Sequence, residues 1–156
     1  MRWMFAALAF ALALSAGCGS SEETSEDQVR RVLSDLEAAA QARDVGAMKS
    51  CLSESYKDAQ GNDRRTVLGM ATGHFMRNKS VYVFSRIERI EIAEPGLARA
   101  EALVALAGRP IRDSSALPGV NADLYRFDLR LRDERGTWRV TSAAWQPATL
   151  SDFNLD

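Results

Sequence analysis

The side chains in this sequence that can move a proton or orient a polar ligand are few. His74 is the only histidine in 156 residues. It follows Val67 and Ala71 at helical spacing, which puts it on the apolar face of a helix. A histidine there is either a general base beside a cavity or a ring at the core's edge with a backbone partner. The second is the plainer reading. Tyr56 and Asp58 stand just before the turn Ala59-Gln60-Gly61-Asn62, and Asp58 suits a capping role in that turn. His74, Tyr56 and Asp58 are the catalytic candidates. The candidates for holding a ligand are Tyr56, His74, Tyr125 and Arg112. Cys51 sits beside Leu52 in an apolar helical pattern and reads as a buried small hydrophobe. One histidine and one cysteine in the body are too few for the usual zinc sites, so no metal is expected. There is no P-loop, no G-x-G-x-x-G and no G-x-S-x-G, and no cofactor is expected.

These residues must be positioned by helices in the first half and strands in the second. Ser25 to Gln28 has capping-box spacing, and Val29, Val32, Leu33, Leu36 and Ala40 then repeat at helical period. The expectation is a helix over roughly 26–43. Asp44 is the expected N-cap of a second, shorter helix, and Asp63 that of a third over about 64–78. Residues 81–92 are rich in branched and aromatic side chains, but their alternation slips, which predicts a bulge near Glu88. Pro95-Gly96 predicts a hairpin into 97–107. Tyr125, Phe127, Leu129 and Leu131 alternate with Arg126, Asp128, Arg130 and Arg132. Glu134-Arg135-Gly136 turns the chain into a last strand bearing Trp138, Val140 and Trp145. Helices followed by an antiparallel meander make an α+β domain, with one sheet face apolar and the other charged. The inward strand faces offer only Tyr125, Ser85 and Ser142 as polar groups, and no carboxylate. The 108–121 loop is long for a hairpin, and reads equally as a cover for the cavity mouth or a surface insertion.

The N-terminus lies outside this domain. Arg2 is the only charge before Glu22, residues Trp3 to Leu14 are unbroken apolar, and Ser15, Ala16 and Gly17 are small. That order is an export signal, and the run is too short to span a bilayer, which takes about 20 apolar residues. Leu14-Ser15-Ala16-Gly17-Cys18 resembles the lipobox of bacterial lipoproteins, although the leucine stands one place early. The resemblance implies cleavage after Gly17 (signal peptide 1–17) and lipid, palmitate included, on Cys18. It also implies a location in the bacterial envelope. With Gly19 after the cysteine, that is the outer membrane, facing the periplasm. An acidic tether follows (18–27), then the domain over 28–150. With Cys18 lipidated, Cys51 has no partner and no internal disulfide is available. Without Arg2 there are 19 bases against 21 acids, so no basic surplus points to nucleic acid.

The body resembles the nuclear transport factor 2-like, or SnoaL-like, superfamily of cone-shaped α+β domains. The carrying residues are the opening helix, the break Ala42-Arg43-Asp44-Val45, the run Leu52-Ser53-Glu54-Ser55-Tyr56-Lys57-Asp58 with Gly61, and Gly136-Thr137-Trp138-Arg139-Val140. The match covers about residues 28–147. Its enzymes work with an acid or base inside the cone, and many members are not enzymes, so the fold alone does not name a function. The resemblance places Tyr56 and Asp58 near the cone's mouth. The lack of an inward carboxylate favours a non-catalytic module binding a small apolar ligand or an envelope protein. The alternative is a small isomerase- or dehydratase-like enzyme using His74 with Tyr56 or Asp58. The charged strand face is an ordinary solvated surface, an anion-binding patch or a homodimer interface.

Overall fold

A computed structural model describes residues 23–153. The signal, Cys18 and the start of the tether lie outside those residues. Helix α1 spans Ser25–Ala42, and its N-cap is Thr24, one residue earlier than the Ser25–Gln28 spacing suggested. Thr24 is extended and its hydroxyl accepts from the Asp27 amide, while the Asp27 carboxylate accepts from the Thr24 amide. The acidic residues Glu26 and Asp27 therefore belong to the first turn rather than to the tether, where the helix dipole favours them. Helix α2 (Val45–Cys51) is capped by Asp44 and α3 (Arg64–Arg77) by Asp63. Arg43 ends α1 in the left-handed conformation and donates to Phe75 O and Lys79 O, which ties the end of α1 to the end of α3.

Strands β1 (Tyr82–Glu94), β2 (Leu97–Ala107), β3 (Ala122–Asp133) and β4 (Trp138–Pro147) form an antiparallel sheet in sequence order. The register between β1 and β2 shifts between Ile87 and Arg89, so Glu88 is the extra residue and the slipped alternation is a bulge. A shift in the β3–β4 register lets Thr141 bulge out of β4, so Val140 and Ala143 are both buried despite their odd spacing. Ser53, Lys57 and Ala59 donate to carbonyls of Val140, Thr141 and Ala143, so the segment after α2 covers the β4 edge.

The helices pack on one sheet face. Val29 and Leu33 of α1 share a cluster with Tyr56, Leu68, Leu131, Trp138 and Val140. Ala40, near the other end of α1, packs with Phe75, Val83 and Leu106. The N-terminal end of α1 therefore points toward the two hairpin turns, at 95–96 and 134–137.

The opposite sheet face is not charged throughout. Leu103 and Ala105 of β2 are fully buried there, beneath Leu117 and Phe153. The 108–121 loop lies on the face opposite the helices, largely exposed as a surface insertion would be, and only Leu117 is buried. Its 3-10 turn (Ser114–Gly119) lies against this face through Leu117. A short helix α4 (Leu150–Phe153) closes the same cluster, and Arg86 donates to the carbonyls of Asp152 and Phe153 at 2.8 and 2.6 Å. The expected domain end at 150 falls at the start of this helix, and packing continues to Phe153.

Candidate functional site

Inside the cone the candidates do not converge on a cavity. Tyr56 is 4 % exposed among Val29, Leu33, Leu52 and Leu68. Burial, followed by the charge of Asp58, pushes its phenol up to about 12. At neutral pH it can donate a hydrogen bond but cannot act as a base. Asp58 is occupied by its own turn: its carboxylate accepts from the Gln60 and Asn62 amides and from the Asn62 side chain, at 2.8–2.9 Å. His74 is half-buried. Its Nδ1 lies 3.4 Å from the Asn78 side-chain amide, and its ring meets Phe75 edge-on. Tyr125 is half-buried on the helix-facing side of β3, edge-on to Phe127, and Arg112 is exposed on the opposite-face loop. Cys51 is buried and its thiol is pushed up by burial and by Asp35. Among the described residues no cluster of three metal-ligating side chains occurs.

Two hollows open on the outside of the domain. One, of about 820 Å³, is a polar groove between the end of α2, the Ser53–Ser55 segment and the β3–β4 hairpin. Ser53, 1 % exposed, donates to Glu134, whose other oxygen accepts from Arg139 at 3.2 Å. The other hollow, of about 360 Å³, lies on the charged sheet face among Arg99, Glu101, Arg126 and Asp128. The register there puts Arg99 directly opposite Arg130 and Glu101 directly opposite Asp128. Like charges directly opposite destabilise a sheet. Arg99 relieves this by reaching diagonally to Asp128, through Nε at 3.0 Å and Nη2 at 2.5 Å. Arg130 is left with no acidic partner among the described residues.

The fold has many solved counterparts. A nuclear transport factor 2-like protein of unknown function from Shewanella oneidensis superposes with a TM-score of 0.60 at 14% identity, over 78% of this chain and 98% of that one. This is the nuclear transport factor 2-like fold. A protein from Novosphingobium aromaticivorans, described as a candidate scytalone dehydratase, gives a TM-score of 0.66 at 10% identity, over 80% of this chain and 84% of that one. A Bdellovibrio bacteriovorus protein, Bd1075, gives 0.63 at 10% identity; 77% of this chain is covered, but only 40% of that one. No protein-family model matches the chain, and no curated protein matches it in sequence. At these identities the likeness carries the fold and not the activity.

In the nuclear transport factor 2-like cone an inward carboxylate is present after all, supplied by a helix rather than a strand. Glu37 of α1 is half-buried and accepts from the Ser85 hydroxyl of β1. The strand alternation could not reveal it. The signal lay in α1, where Glu37 is next to Leu36 on the inward edge of the stripe defined by Leu33 and Ala40. Ser85 shares a cross-strand row with Val104 and Tyr125, on the helix-facing side. The second residue that the sequence reading missed is Ser53, whose buried hydroxyl organises the groove.

Proposed function

We propose that this protein is an envelope lipoprotein, held in the outer membrane by lipid on Cys18 and facing the periplasm. Its nuclear transport factor 2-like domain is a non-catalytic module that receives an envelope protein on the charged sheet face. The observation that carries this reading is the packed cone. Val29, Leu33, Tyr56, Leu131, Trp138 and Val140 form one buried apolar cluster between the helices and the sheet, at the end of the cone that holds Tyr56. The larger of the two hollows is lined mainly by polar and charged side chains, and the other sets Arg99, Glu101, Arg126 and Asp128 beside Phe127, Ala144, Trp145 and Gln146. Arg130 stands directly opposite Arg99 and, among the described residues, has no acidic partner of its own, so an acidic partner protein would meet an open charge there. Among the described residues no helix is long and apolar enough to cross a membrane. Metabolic labelling with a palmitate analogue tests the anchor. Label is expected on the wild-type chain and absent from Cys18→Ala. Label surviving that substitution contradicts the reading.

A catalytic reading has one observation in its favour, the Glu37–Ser85 pair inside the cone. It would use Glu37 as the acid or base, in place of His74 with Tyr56 or Asp58. Glu37→Gln separates the two readings. A module that works by its surface keeps its cellular role in that variant, and an enzyme of this kind loses it.

A further inference from the structure

The polar groove and the start of α1 lie at one end of the molecule. The N-terminal end of α1 points toward the hairpin turns, as its packing against Leu131 and Trp138 requires. The groove lies at that same end, between the β3–β4 turn and the end of α2. Cys18 precedes the Thr24 cap by six residues, a reach of about 20 Å at full extension. A lipid on Cys18 therefore holds this end of the domain within reach of a bilayer surface.

The groove carries five cations, Lys49, Arg64, Arg132, Arg135 and Arg139, against three acids. The acids are largely spoken for. Glu134 is bound by Ser53 and Arg139, and Asp133 accepts from the Gly136 amide at 2.7 Å. Glu54 is 91 % exposed and meets Arg64 only at 3.5 Å. Lys49, Arg132 and Arg135 have no acidic partner among the described residues. Arg135 is also held at a φ of 61°, the first place of a two-residue hairpin turn completed by Gly136. Asparagine or glycine takes that place more readily. The chain keeps an arginine at the tip of a turn that faces the groove.

We infer that this groove binds the phosphate of an anionic lipid headgroup and docks the domain on the membrane that anchors it. The inference rests on the lipid at Cys18. Guanidinium groups suit phosphate through paired N–H donors, and the unpaired cations supply the field that draws the surface in. The negative formal charge of the whole chain does not oppose this, because the surplus of bases is local to the groove.

The test uses the processed chain with neutral phosphatidylcholine vesicles and with vesicles containing one quarter phosphatidylglycerol. Hydrogen exchange is read over residues 49–55 and 132–139. Exchange in both segments is expected to be about fivefold slower on the anionic vesicles. The difference should vanish in molar salt, where the screening length is about 3 Å. It should also vanish in the combined variant Lys49→Ala, Arg132→Ala, Arg135→Ala. If that variant fails to fold, Arg135→Gly alone carries the test, since glycine suits the turn and removes the charge. Equal exchange on the two vesicles overturns the inference. Equal protection from inorganic phosphate on neutral vesicles also overturns it, by assigning the groove to free phosphate. The mass of the N-terminal peptide reports separately whether Cys18 bears lipid. A bare cysteine with intact protection on added anionic vesicles would sink the anchor and leave the groove standing.

Discussion

The Ser53 hydroxyl donates to the Glu134 carboxylate at 2.5 Å, joining the segment after α2 to the β3–β4 hairpin across 81 residues of chain. Arg139 holds the other carboxylate oxygen and also donates to Ser50 O, so one arginine ties the hairpin to the end of α2. This is the floor of the groove, and it is polar and hydrogen-bonded, with Ser53 buried and Glu134 and Arg139 half-buried. The Ser53 hydroxyl, followed by the Arg139 guanidinium, holds the Glu134 carboxyl below the usual carboxylate range.

Removing that hydroxyl should weaken the fold. Ser53→Ala takes a donor from a part-exposed carboxylate and leaves a small gap at a buried position, at about 1 kcal/mol. Because the Glu134 pKa is depressed in the folded state, its contribution is present above about pH 4.5 and is lost as pH falls through the folded value. Denaturant midpoints measured on acidification should therefore fall less steeply in Glu134→Gln than in the wild type. Parallel curves would remove Glu134 from the acid response.

Tyr56 governs the alkaline side. Its folded pKa stands at about 12, above the ordinary value near 10, so the folded state holds this proton more tightly than the unfolded one. The stability it confers is complete below pH 10 and is lost between there and pH 12, on the order of 2–3 kcal/mol. Absorbance at 295 nm should show one of the three tyrosines ionising late, together with loss of the fold. Tyr56→Phe should lack that late step. A late step that persists in Tyr56→Phe assigns it to another ring.

The C-terminal helix should be part of the cooperative unit. Phe153 is 1 % exposed against Leu103 and Leu117, so Phe153→Ala should cost about 3 kcal/mol. Truncation after Thr149 should do at least as much harm, since it also removes the acceptors of both Arg86 Nη groups and leaves only the Nε pair with Glu88. A thermal melt unchanged by the truncation would mean that α4 merely rests on the sheet.

Much of the architecture is legible in the sequence because its signals are local. Asp44 and Asp63 announce their helices through a side chain that meets an amide three residues on. The slipped alternation around Glu88 announces its bulge. What was illegible depends on distant neighbours. Nothing within β2 says that Leu103 and Ala105 will be covered on the second face, because the cover comes from Leu117 and Phe153, far along the chain. Asp58 could be read as a turn cap, since Gly61 and Asn62 are adjacent. Glu37 could not be read as inward, because its partner Ser85 is 48 residues away. The groove has the same character: Ser53 and Glu134 look like loop residues until the β3–β4 turn folds back on α2.

The central claim is that the charged sheet face, and not the cone, receives an envelope protein. Photo-crosslinking in intact cells tests it most directly, with a benzophenone side chain placed at Gln146, which is exposed beside the charged hollow. The account predicts one discrete adduct with a different envelope protein, lost on Arg99→Glu and kept in Glu37→Gln and His74→Ala. An adduct of twice the chain's own mass would replace the partner with a second copy of this chain. No adduct at all, from a folded and lipidated protein, would contradict the claim.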